Sequence, residues 1–157
     1  MQQGLLHLHN FLRWFVLIFA IWTIFKTFSG MGSGRAFTKA DKRPALFLMI
    51  TCDIQLLLGL VLYTTGAWGI KNIQNQGMGA VMKDSVSRFW AVEHIAGMLI
   101  AVVLVHIGYA AIKKNIADSA KFKKVFWFTL IALLIIIATI PWPFREMIGR
   151  PLFPGMH

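Results

Sequence analysis

Charge is scarce in this sequence. Charged residues fill only 14% of the 157 positions, well below the roughly 25% of an ordinary soluble domain. Acids are scarcer still, with six Asp and Glu against 16 Lys and Arg. With 57% hydrophobic residues and a mean hydropathy of +0.66, the composition suits a chain solvated by lipid and excludes an ordinary soluble domain. Cysteine is nearly absent: Cys52 alone sits inside an apolar run, which excludes an internal disulfide framework or a thiolate metal cluster. Also missing are a phosphate-cradling glycine loop, an HExxH spacing and a nucleophile triad, so hydrolase and ATPase chemistry find no support. The stretch Met1–His9 lacks a basic n-region and a small-residue cleavage site, so the first apolar run is expected to stay uncleaved.

What is present is a succession of long apolar runs. A membrane-crossing helix needs about 20 mainly apolar residues, and four such runs are predicted: Leu5–Phe28, Pro44–Tyr63, Phe89–Ile112 and Val125–Ile140. Each is flanked by charge or by Gly and Pro, and Trp68, Trp90 and Trp142 fall near span ends, where aromatic belts form. Ser29–Arg43 reads as a Gly-rich basic loop with Pro44 in the first turn of the next helix. The expected fold class is all-α, an integral membrane up-and-down four-helix bundle that makes residues 1–157 one transmembrane domain.

The basic residues are unevenly distributed. Lys26, Arg35, Lys39, Lys42 and Arg43 lie between the first two spans, and Lys113, Lys114, Lys121, Lys123 and Lys124 between the last two. Those loops hold ten of the 16 cations, so the positive-inside rule places both termini and the segment Thr64–Arg88 outside. The excess positive charge is thereby assigned to membrane lipid rather than to nucleic acid.

A rise of about 1.5 Å per residue converts position into depth. His9 and His94 each fall about one turn below the outer end of their spans, level with one another. In an up-and-down bundle their helices are diagonal, which predicts two imidazoles facing across the core, a porphyrin's width apart, as axial ligands of one b-type haem. A bis-imidazole site leaves no open position and suits electron transfer. His7 points about 200° away from His9 and is assigned to the interface. Gly97, Ala101 and Gly108 follow His94 at helical spacings and form a smooth stripe against which a flat macrocycle could lie, though small residues also simply let helices pack. Arg13 and Gln55 share a depth of about 12 Å and join the candidate cofactor site, with Glu93 as a neutralising partner of Arg13 or Arg88. Lys83, Arg88 and Arg145 are the rim cations placed to meet haem propionates. Deeper, His106 and Asp53 are expected to satisfy each other or to relay protons, leaving no second haem; Met49 there reads as core filler.

Four segments, HLHNFLRW, IQLLLGLVLY, MKDSVSRFWAVEHI and KKVFWFTLIALLIIIATIPWPF, cover most of the chain. They resemble a family of small bacterial four-helix membrane proteins labelled cytochrome b or cytochrome b-like. The matching positions are His9, Leu12, Arg13 and Trp14; Gln55, Gly59 and Tyr63; and Met82, Lys83, Asp84, Arg88, Phe89, Glu93 and His94. The resemblance implies b-haem and electron transfer in the bacterial cytoplasmic membrane, without fixing ligands or redox partners. The expected function is therefore a single-electron carrier, an electron-transfer protein more than a stand-alone enzyme. A quinol and other respiratory membrane subunits are its expected partners, with an acceptor at the outer face. The alternative is a cofactor-free structural or assembly subunit. A Met- and His-based copper handler is disfavoured because the eight Met do not cluster with His.

Overall fold

The computed structural model describes residues 2–153. Helices α1 (Gln2–Gly30), α2 (Lys39–Thr65), α3 (Ile70–Gln76), α4 (Met78–Lys83) and α5 (Ser85–Arg88) are followed by a π-turn over Phe89–Glu93. That turn runs directly into α6 (His94–Ile112), and α7 (Asp118–Thr139) completes the helices. The described residues contain no strand, so the chain is all-helical. Four helical stretches, Gln2–Gly30, Lys39–Gln76, Ser85–Ile112 and Asp118–Thr139, are long and apolar enough to cross a membrane.

The long helices form a ring in chain order. α1 packs on α2, α2 on α6, α6 on α7 and α7 back on α1, which leaves α1 and α6 diagonal, as the up-and-down reading expects. Small side chains allow the close approach: Ala20, Ala101 and Ala132 are buried in the same cluster as Val16, Leu48 and Ile136. Large apolar side chains such as Phe25, Phe28, Leu57 and Leu134 point outward.

Several boundaries differ from the sequence expectation. α2 begins at Lys39 rather than Pro44, because Asp41 organises its first turn. The Thr38 N–H and hydroxyl both donate to Asp41 Oδ2, at 3.0 and 2.8 Å, and Arg35 donates to both carboxylate oxygens at 2.7 and 2.8 Å. This is the sequence-local capping geometry of a helix start, and it shortens the basic loop. α7 begins at Asp118, about two turns before Val125, on a lysine-rich stretch in which Lys121 pairs with Asp118 at 3.0 Å. The segment Thr64–Arg88 is not a plain loop but carries α3, α4 and α5. Gly77, at φ +78, makes the reversal between α3 and α4 in a backbone conformation that other residues rarely adopt.

Candidate functional site

The diagonal space between α1 and α6 encloses a cavity of about 450 Å³ lined from all four long helices. That lies within the roughly 300–1,000 Å³ of ligand and cofactor sites. His9, Arg13, Gln55, His94 and Ala101 all line it. The two imidazole centroids are 6.4 Å apart with ring planes at 70°, so the rings do confront one another, at closer range than a porphyrin's width. His7 is outside the cavity lining, in keeping with its opposite helical phase.

The position of His94 follows from two local features. The π-turn ahead of it inserts an extra residue, and Tyr63 from α2 pins that turn by donating its hydroxyl to the Ala91 carbonyl at 3.0 Å. On the far side, His94 Nδ1 lies 2.9 Å from the Thr139 carbonyl. A carbonyl only accepts, so Nδ1 carries the proton and Nε2 keeps the free lone pair. Thr139 is available because the chain reads Pro141-Trp142-Pro143 beyond it. Its carbonyl would otherwise accept from the N–H of residue 143, which proline lacks. The neighbouring carbonyls at the end of α7 are met similarly by side chains. Trp142 Nε1 donates to Ile137 O at 2.8 Å, and Arg145 Nη1 to Ala138 O at 3.1 Å.

His9 is less tightly held. Its Nδ1 is buried without a hydrogen-bond partner, while its own carbonyl accepts from Gln55 Nε2 at 2.8 Å. Gly59 on α2 makes room for the ring, since a Cβ there would stand 3.3 Å from His9 Cε1.

Other expected residues are placed differently. Gly97 is absent from the cavity wall: a Cβ there would lie 2.5 Å from Thr139 Cγ2, so this glycine sets the approach of α6 to α7. Gly108 likewise meets Phe128 and Val125, leaving Ala101 as the one member of the stripe on the cavity. Spacing placed all three on one helix, but the α6 face is shared between the cavity and α7. Glu93 pairs with Arg88 at 2.7 Å and does not line the cavity beside Arg13. Arg145 caps α7 with its guanidinium 4.8 Å over the Phe89 ring, and neither Lys83, Arg88 nor Arg145 lines the cavity. His106 and Asp53 do meet, Nε2 to Oδ1 at 3.2 Å, but both side chains are more than two-fifths exposed and face out of the bundle.

Sequence reasoning missed the segment after α7. Pro141–Phe153 folds back along the bundle, where Arg13 Nη2 donates to the carbonyls of Pro151 and Leu152, both at 2.7 Å. Trp14 Nε1 donates to Leu152 O at 3.0 Å and its ring stacks on Phe153. This strap brings Arg150 to the cavity, with its guanidinium 4.9 Å over the Trp90 ring. The available signal was a run of prolines and aromatics behind α7 with no polar stretch to carry it away. Comparison with family models, with curated proteins and with solved structures finds no match in any of the three.

Proposed function

We propose that this chain is a multi-pass b-type cytochrome that holds one haem between His9 and His94. It carries single electrons, between a quinol and an acceptor at the outer face, alone or within a respiratory assembly. The observation that carries the reading is the pair of imidazoles from diagonal helices, 6.4 Å apart across one cavity, one of them with its proton tied off on a carbonyl. Metal–imidazole bonds of about 2.0–2.1 Å on both sides of one ion give ring centroids about 6 Å apart. No group of three or more His, Cys, Asp or Glu converges among the described residues. Two imidazoles alone suit an iron macrocycle, which brings four nitrogen ligands of its own, better than a bare ion.

When bound, haem supplies a reversible one-electron iron couple. The chain's part is to orient and insulate. The Thr139 carbonyl fixes the His94 tautomer and ring orientation, and a donating Nδ1–H makes Nε2 a stronger ligand. Val16, Ala101 and Ile136 line the cavity with apolar surface that limits water. The ten cations on the α1–α2 and α6–α7 connections and the helix ends beside them support an inside location for that side, with both termini outside the bacterial cytoplasmic membrane.

Reduced-minus-oxidised spectra with pyridine haemochrome quantification test the reading. The expected result is one haem per chain with a bis-imidazole spectrum, lost in both His9→Ala and His94→Ala. A colourless wild-type protein, or pigment retained in both variants, overturns it. The packing roles of Arg13 and Gly97 favour a second reading, a cofactor-free membrane scaffold, in which His94→Ala lowers stability and no pigment exists to lose.

A further inference from the structure

The cavity has an electrostatic imbalance that two imidazoles do not explain. Arg13 and Arg150 both line it, and among the described residues none of the six Asp and Glu side chains does. Arg13 is only 6% exposed. One of its nitrogens, Nη2, is used by the strap, while Nε and Nη1 are buried with no hydrogen-bond partner among the described residues. Arg150 Nε is buried and has no partner among the described residues either. The two guanidinium-bearing residues are brought together by the fold itself, because the carbonyls that Arg13 grips belong to the two residues following Arg150. Buried guanidinium N–H groups without acceptors are strongly unfavourable, and an anionic oxygen such as that of a carboxylate satisfies each of them with a charge-assisted hydrogen bond.

We propose that Arg13 and Arg150 form a carboxylate-binding clamp, so that the occupant of this cavity is an apolar body bearing an acidic side arm. The inference deepens the haem reading and rests on it for one point: with haem bound, the acidic arm is a propionate. It moves anion recognition from the rim residues Lys83, Arg88 and Arg145 to a pair composed of one residue on α1 and one on the strap. The same chemistry would accept the headgroup of a fatty acid.

Titration of detergent-solubilised, pigment-stripped full-length protein with haem and with haem dimethyl ester tests the clamp. Wild type is expected to bind haem about ten- to a hundredfold more tightly than the ester, as charge-assisted hydrogen bonds to a buried carboxylate imply. Arg150→Gln should weaken haem binding, leave ester binding unchanged and abolish the preference, while Arg150→Lys retains part of it. Helix content by circular dichroism, expected to match wild type, establishes that these variants fold. An undiminished preference in folded Arg150→Gln, or no preference in wild type, overturns the clamp while leaving the histidine ligation standing. If neither porphyrin binds, the haem reading fails and palmitate against methyl palmitate decides the clamp. A preference for the acid that Arg150→Gln removes sustains it with a lipid source, and the lack of such a preference overturns it.

Discussion

Gly97 and Gly59 each face a side chain on a neighbouring helix, yet an added methyl group would meet very different resistance. At Gly97 it would collide with Thr139 Cγ2 at 2.5 Å; at Gly59 it would come within 3.3 Å of His9 Cε1, and the ring can yield by a few tenths of an ångström. Gly97→Ala should therefore lower stability by about 1–3 kcal/mol through overpacking, read as a drop in thermal midpoint. Gly59→Ala should leave the midpoint near wild type and, if haem is held as proposed, shift its optical bands through the displaced His9 ring. Equal midpoints for the two variants would contradict this assignment of the glycines. At this scale the sequence revealed depth and phase: His9, His94, Arg13 and Gln55 reach one cavity because helical geometry determines both. It could not say which neighbour each face meets. Asp53 and His106 are paired at the expected depth but face outward. His106 Nδ1 faces the Val102 carbonyl at 2.9 Å while Nε2 faces Asp53 Oδ1 at 3.2 Å, so both ring nitrogens are engaged.

Among the elements, α7 shows how a helix terminus can be put to use. Two prolines stop its backbone hydrogen bonding and leave the Thr139 carbonyl to His94. Replacing both, Pro141→Ala with Pro143→Ala, should let the helix run on and give Thr139 O a backbone donor of its own. The expected outcome is weaker haem retention and a changed reduction potential, measured by equilibrium redox titration, with helix content slightly increased. An unchanged potential would remove the Thr139 carbonyl from the account of His94. Hydropathy marked all four long helices, and their ends moved by one or two turns where Asp41 and Asp118 organised starts that apolar windows ignore. The π-turn at Phe89–Glu93 was not legible, because an extra residue in a turn leaves the pattern of residue types on either side intact.

For the molecule as a whole, cation placement and apolar surface agree on one arrangement. The outward faces carry residues such as Phe25, Phe28 and Leu57, and most Lys and Arg lie in the connections, the short helices α3–α5 and the end turns of the long helices. Cysteines introduced at Ser33 and Ser119 should react with a membrane-impermeant maleimide only after the cytoplasmic face is opened, and one at Ser85 should react in intact cells. Cys52, 3% exposed, should stay silent. The reverse pattern would invert the topology. The strap adds an order in time to this architecture. Arg13 is made before the carbonyls that latch it, which follow 138 and 139 positions further along the chain. Until synthesis has passed them and α7 has docked, the acid-holding side of the chamber is incomplete. If haem is held as proposed, it should accordingly be captured firmly only after the strap has docked on Arg13.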